Sequence, residues 1–401
     1  MLQQVFDCQL NQAERKYVAK AAAFGKEVLS QQRFEHEKEA PDLARLRLAV
    51  KKGLAAMEVP QQWGGGGTRY VARMRVCEEL AYYDAAFTFS LIAHHNIAMR
   101  IALSGGKALA SEFMPSLMNG EQFACTAMTE PQSGSDFSTM HTHAVREDNG
   151  WRLSGTKAWI ANASFADVFL VYAQTDPEAG ARGVGGFIVS AADPGFTRAP
   201  AYQTPTVSGM GVGGFTLTDC LIPEHRLLYP APGGFKAALQ GVNQARVHVA
   251  AMCLGMVRNA LRSALAYGET RQAFGVPLLE HQGLRWKLAD VATQLTQLQT
   301  LTYEASRAID AFAQQAASHD GETTRAANRF AQQLAAMAKK SANTMAEPAI
   351  SQCLQVMGAV GLEAQYRLIH HLHCARAFCF TDGTPEMMNE RIAHLLRRDV
   401  L

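Results

Sequence analysis

The run Phe378-Cys379-Phe380-Thr381-Asp382-Gly383-Thr384-Pro385-Glu386 sets one carboxylate directly before a glycine turn, after an apolar, helix-like stretch able to bury it. A buried carboxylate anchored by backbone is suited to taking a proton from carbon. An ordinary aspartate, with a pKa of about 3.9, is ionised but weakly basic, and burial beside apolar groups raises its proton affinity toward the useful range. The plain alternative is a capping aspartate ahead of Gly383.

Three further segments have residue types that could act on a ligand. Ala127-Met128-Thr129-Glu130-Pro131-Gln132-Ser133-Gly134-Ser135-Asp136 is a loop of hydroxyls and glycines. Such a loop brings backbone N–H groups and Ser or Thr hydroxyls close to a phosphate or the polar edge of a ring, although an ordinary turn has the same composition. Gly155-Thr156-Lys157-Ala158-Trp159-Ile160-Ala161-Asn162-Ala163 follows, with an indole that either covers an aromatic cofactor or fills core. In Arg271-Gln272-Ala273-Phe274-Gly275-Val276-Pro277-Leu278, followed by Gln282, a guanidinium offers its planar fork to phosphate oxygens.

Other patterns promise more than they deliver. Gly209-Met210-Gly211-Val212-Gly213-Gly214 matches GxGxxG, but Thr204-Pro205-Thr206 precedes it and the strand-like Phe215-Thr216-Leu217-Thr218 follows. A dinucleotide fingerprint needs a strand before and a helix after, so a flexible β-turn is expected. His370-His371-Leu372-His373-Cys374 places at most two ligands on one helix face with no second set, which argues against zinc. Cys125 and Ser135 lack a recognisable base for nucleophilic chemistry.

The elements that must position these residues fall into three stretches. Residues 1–120 have apolar positions every three or four residues, punctuated at Pro41, Pro60 and Gly64 to Gly67, and predict a helical domain. Residues 121–232 change to short β-type runs such as Val168-Phe169-Leu170-Val171-Tyr172 and Gly186-Phe187-Ile188-Val189, predicting a small β-barrel or sandwich. Residues 233–401 return to the helical period, and Leu284, Leu288, Val291, Leu295 and Leu298 step as a bundle helix does. The order helices, strands, helices is not the βα alternation of a doubly wound sheet. The class is mainly α with a central β domain.

The 401 residues are 48% hydrophobic and have a net charge of +2 from 38 basic and 36 acidic residues, without a basic stripe or tail. Nucleic-acid and membrane-surface partners are therefore not expected. Met1 to Cys8 lacks a basic segment followed by an apolar core, and no apolar run reaches about 18 residues, so a cytoplasmic protein is expected. Cys8, Cys77, Cys125, Cys220, Cys253, Cys353, Cys374 and Cys379 form no CxxC pair and read as reduced thiols.

Taken together, these segments resemble the acyl-CoA dehydrogenase family of flavoenzymes. The 127–136 loop is similar to the family's TEPxAGSD, Trp159 to Asn162 to its WITN, Arg271 to Gln282 to its RxxFGxPLxxxQ, and Gln355-Val356-Met357-Gly358-Ala359-Val360-Gly361 to its QxxGGxG. Met57-Glu58-Val59-Pro60, and Glu78-Glu79-Leu80-Ala81 ahead of His95-Asn96, extend the resemblance over nearly the whole chain. It implies an N-terminal helical domain, a middle β-barrel and a C-terminal four-helix bundle, assembled as a homotetramer or homodimer. It also implies FAD as cofactor, with Met128, Thr129 and Ser135 at flavin and thioester contacts and Trp159 against the isoalloxazine ring. Arg271, Phe274 and Gln282 would lie on the FAD of a neighbouring subunit, Gln355 and Gly358 on its adenine side, and Thr384 also near the cofactor. Ala161 stands where the family has Thr, and Ala359 where it has a second glycine.

In the family the base comes from the loop that resembles Asp382, usually as Glu, or from a helix position just before an Arg. Asn243-Gln244-Ala245-Arg246 resembles that helix segment, and Ala245 cannot take a proton, which leaves Asp382. The implied reaction removes the alpha proton of an acyl thioester as the beta carbon gives up hydride. The Asp382 N–H and a flavin ribityl hydroxyl would donate to the thioester carbonyl, with Ser135, Asn243, Arg246 and Gly383 at the substrate. Asn243 replaces an Asp that some relatives use toward coenzyme A, so an acyl-carrier-protein thioester stands beside acyl-CoA. Electron-transfer flavoprotein is the implied acceptor. Asp382 and Ala161 keep open a nitroalkane oxidase-like enzyme, a desulfinase or a flavin monooxygenase, and beyond these a flavin-bound protein without catalysis.

Overall fold

The computed structural model describes residues 6–31, 41–204, 207–318 and 321–400. The N-terminal Met1 to Val5, and Pro205-Thr206 ahead of the glycine run, therefore lie outside the described residues. Two compact units divide the chain: Met1–Lys38 with Arg69–Thr88 and Asn243–Leu401, and Glu39–Thr68 with Phe89–Val242.

The first unit is helical. Its helices are α1 (Gln12–Glu27), α3 (Tyr70–Ala81), most of α6 (Gly233–Thr270), α7 (Gln282–Ser318), α8 (Gly321–Met357), α9 (Leu368–Phe378) and α10 (Pro385–Val400). Asn11 opens α1 with a capping box, exchanging bonds with Glu14. The α7 ladder is as the period predicts, with Leu288, Val291 and Leu298 buried and Leu284 and Leu295 half-buried. Helices α3 and α6 pack so closely that a Cβ on Gly255 would lie 2.4 Å from the Glu78 carbonyl oxygen and 2.7 Å from the Tyr82 nitrogen. An ion network accompanies that contact: Arg75 donates to Glu78 and Glu79, Arg258 donates to the same two carboxylates, and the Tyr303 hydroxyl donates to Glu78 at 3.0 Å. Glu78 can thus be buried and Glu79 half-buried because each of their charges has a partner.

The second unit holds α2 (Leu43–Lys51), most of α4 (Ala85–Ser104), α5 (Gly106–Asn119) and the strands. These are β1 (Ala124–Ala127), β2 (His143–Glu147), β3 (Gly150–Ile160), β4 (Val168–Gln174), β5 (Val184–Ser190), β6 (Phe196–Arg198), β7 (Gly213–Pro223) and β8 (Leu227–Tyr229). They form one sheet in the order β6-β7-β3-β2-β4-β5-β8, with β1 paired in parallel to β4. Strand β4 is buried on both faces, as an uninterrupted apolar run requires. Val168, Leu170 and Tyr172 join a core with α4 and α5, while Phe169, Val171 and Ala173 face a second core drawn from β1, β2, β3, β5 and β7. Those five strands and β4 thus share one interior, and the expected central β domain is present. The GxGxxG match lies on a 3₁₀ turn (Ser208–Met210) and the start of β7, with no helix after it.

Cys8 is exposed and the other seven cysteines are buried. Among the described residues, no three His, Cys, Asp or Glu converge to hold a metal ion, and His370 instead bonds Asp84 at 3.1 Å. No described helix is long and apolar enough to cross a membrane.

Candidate active site

Asp382 sits between α9 and α10, with φ at +55°, followed by Gly383 at +103°. Its carbonyl accepts from Arg246 Nε at 3.1 Å, and Arg246 Nη1 donates to Asn243 Oδ1 at 2.8 Å one turn back on α6. Helix α8 adds Lys339, fully buried, whose Nζ donates to the Phe378 carbonyl at 2.7 Å and the Gly383 carbonyl at 3.4 Å. Three carbonyls of this loop are therefore held by two cations. Thr384 caps α10, its hydroxyl accepting from the Met387 N–H at 3.4 Å.

Burial dominates the electrostatics of this cluster. It raises the Asp382 carboxyl above the ordinary aspartate range, and the charges of Lys339 and Arg246 only partly oppose it. The same burial pushes Lys339 down to about 8 and Arg246 to about 10, in each case against the attraction of Asp382. A carboxylate made more basic, on a loop pinned from two helices, can accept a proton from a neighbouring carbon acid.

In the second unit the 127–136 loop is moored by one buried ion pair. Lys157 Nζ lies 2.8 Å from Glu130 Oε1 and donates to the Met128 carbonyl at 3.0 Å, and the His141 and Thr142 N–H groups donate to the Glu130 carboxylate at 2.6 and 2.9 Å. Desolvation pushes Glu130 up, but the Lys157 charge and these bonds outweigh it and bring it down to about 2. The Ala158 N–H donates to the Thr129 carbonyl at 3.0 Å, joining the loop to β3 next to Trp159.

Strand β3 loses register against β7 between Lys157 and Ile160, and in that bulge Trp159 takes φ +58°. The bulge turns the indole outward, leaving it 59% exposed, and it stacks on Tyr202 with ring centroids 4.2 Å apart and planes 14° off parallel. Asn162, also left-handed, secures the following turn by donating to the Ser90 carbonyl at 2.9 Å. Ser135 is exposed, while Ala161 is half-buried and has only a methyl to offer.

A two-residue hairpin, Gln272–Ala273 against Val276–Pro277, turns at Phe274 and Gly275, both with positive φ as a type I′ turn demands. Phe274 is 99% exposed at its tip, and Arg271 and Gln282 are exposed at its base. Gln355 is exposed near the end of α8, and Gly358, at φ +65°, has open space around its Cα.

The first unit thus brings together Asp382, Gly383, Arg246 and Asn243, and the second joins Met128, Thr129 and Trp159. Lys339, Tyr202 and the Glu130–Lys157 pair were not singled out from the sequence. Lys339 had left a signal: it falls on the small, apolar stripe Ala331, Ala335, Ala338, Ala342, Ala346 of α8, where a solvated lysine has no place. Tyr202 left none.

The acyl-CoA dehydrogenase N-terminal, middle and C-terminal domain families match residues 11–121, 125–220 and 232–396. The chain belongs to the acyl-CoA dehydrogenase family. It is 32% identical over 349 residues to the human mitochondrial short-chain specific acyl-CoA dehydrogenase, covering 86% of this chain and 80% of that one. Butyryl-CoA dehydrogenase from Megasphaera elsdenii superposes with a TM-score of 0.87 at 27% identity, over 97% of this chain and 99% of the other. Glutaryl-CoA dehydrogenase from Mycobacterium smegmatis, in complex with FADH2, gives 0.85 at 26% identity, over 97% and 96%.

An acyl-CoA dehydrogenase is a flavoprotein oxidoreductase acting on CH–CH bonds, and its cofactor is FAD. The residues present fit that group. A large indole held outward by a strained backbone and braced by Tyr202 has uncovered surface for a flat ring. The moored 127–136 loop beside it offers hydroxyls and N–H groups.

Proposed function

We propose that the protein catalyses alpha,beta-dehydrogenation of an acyl-CoA thioester to the trans-2-enoyl thioester, with Asp382 as the base that takes the alpha proton. The observation that carries this reading is the carboxylate itself: burial raises its proton affinity, while Lys339 and Arg246 hold the carbonyls around it. Bound FAD supplies the acceptor for the hydride that leaves the beta carbon. The Asp382 N–H, turned by the left-handed backbone, donates to the thioester carbonyl as it gains enolate character. Arg246 steadies that N–H through the neighbouring carbonyl, and Asn243 steadies Arg246. Asp is one methylene shorter than Glu, and a misplacement of about 1 Å costs roughly a hundredfold in rate. A rigidly held loop is the remedy.

Met128, Thr129, Ser135 and Trp159 are assigned to the flavin, Arg271, Phe274 and Gln282 to the FAD of a neighbouring subunit, and Gln355 and Gly358 to its adenine side. The homologous short-chain and butyryl-CoA enzymes favour a short acyl chain, and the family resemblance favours an electron-transfer flavoprotein as acceptor. The test is anaerobic titration of the holoenzyme with short, medium, branched and aromatic acyl-CoAs, following the visible flavin absorption. Bleaching by a short-chain thioester is expected. In Asp382→Asn, flavin content should persist while the reduction rate falls by about 10²–10⁴-fold. Reduction at the wild-type rate would remove Asp382 from the role.

A further inference from the structure

A lysine buried completely inside a helical unit has a cost that its surroundings must explain, because burial disfavours the ammonium. Lys339 is such a residue. Its hydrogen bonds go to two carbonyls on either side of Asp382: Phe378, at the last turn of α9, at 2.7 Å, and Gly383 at 3.4 Å. The first lies at the C-terminus of α9, where a cation is favoured, and it also accepts from the Thr381 hydroxyl at 3.2 Å. The span between the two carbonyls is the loop that carries the carboxylate.

We propose that Lys339 is a positioning residue for the reaction: it clamps the Asp382 loop at both ends and keeps a positive charge near the carboxylate. This rests on the reading of Asp382 as the base. The clamp fixes the depth at which the shorter Asp side chain enters the site, and the charge lowers the pH at which that side chain ionises. The groups that face the pair are Arg246 and Cys253 from α6, Cys379 from the loop, and Arg391 of α10, whose charge acts on Arg246. Among the described residues Arg246 also acts on Asp382, more weakly than Lys339, so loss of Lys339 removes the larger opposing charge.

The test compares holoenzyme of the wild type, Lys339→Met, Lys339→Gln and Asp382→Asn by amide hydrogen exchange over Cys379 to Thr384 and by the pH profile of anaerobic flavin reduction with butyryl-CoA. Lys339→Met is expected to keep its flavin, to exchange the loop amides about tenfold faster, and to move the acid limb of the profile to higher pH. Lys339→Gln keeps a donor without the charge. It should restore part of the loop protection but retain the displaced limb, and it serves if Lys339→Met fails to fold. Wild-type loop protection in Lys339→Met, or an acid limb unmoved in both variants, overturns the proposal. Wild-type reduction by Asp382→Asn would instead overturn the base assignment, and the exchange data would still decide whether Lys339 clamps the loop.

Discussion

Six described non-glycine residues have positive φ, and three of them, Trp159, Phe274 and Asp382, are residues the sequence had marked for chemistry. Left-handed backbone costs a bulky residue about 1–3 kcal/mol and persists only where the surroundings enforce it. At Asp382 the enforcing contacts are the three cation-held carbonyls. Gly383→Ala tests them, because a Cβ there would combine φ +103° with a 2.7 Å approach to Met388 Cε. Destabilisation of about 1–3 kcal/mol in urea unfolding is expected, together with slower flavin reduction. The pH dependence follows from the sign of the shift. The folded-state carboxyl of Asp382 is raised, so the base is protonated and idle at low pH, and the reduction rate should rise with pH through a value above about 3.9. Stability runs the other way for this group: the folded state holds the proton more tightly, so Asp382 costs stability once pH passes its unfolded value. A measured acid limb at or below about 3.9 would contradict the burial argument.

At the scale of elements, function depends on short irregular pieces fastened to regular ones. The β3 bulge aims Trp159, and the Glu130–Lys157 pair moors the hydroxyl loop to that same strand. Removing one partner of a buried pair strands the other charge, so Lys157→Met is expected to destabilise the protein by about 3–5 kcal/mol and to loosen FAD, read by unfolding and by flavin retained on gel filtration. For Glu130 the folded value of about 2 lies below the unfolded value of about 4.3. Its contribution is complete above the unfolded value and is lost as pH falls toward 2. Extra acid sensitivity between those values should therefore disappear in the double variant Glu130→Gln/Lys157→Met. The helical periods, the β-type runs and the hairpin glycine were all legible in the sequence, because burial of a face and the demand for positive φ each select residue types. The bulge was not, since one extra residue only shifts the phase of the alternation, and over Gly150–Ile160 the alternation is too irregular for that shift to be read.

At the scale of the whole molecule, the Gln272–Pro277 hairpin presents exposed groups that the chain itself covers little. A phenylalanine 99% exposed at its tip and an exposed Arg271 at its base are open to a further surface. On the proposed assignment to a neighbour's FAD, Arg271→Ala should release cofactor and shift the assembly toward smaller species in analytical ultracentrifugation. A variant that stays fully flavinylated at the wild-type size would count against the assignment. The sequence by itself determined the family, the succession of helices, strands and helices, and Asp382 as the candidate base, because periodicity and motif order are properties of neighbours along the chain. Tertiary structure alone decided that Lys339 clamps the loop from a helix 43 residues upstream of Asp382, that Tyr202 braces Trp159, and that Lys339 and Arg246 are the charges opposing the expected rise of the Asp382 carboxyl. Each of these depends on which distant groups share a desolvated space, and proton affinity and side-chain direction are set by that space and not by the adjacent residues.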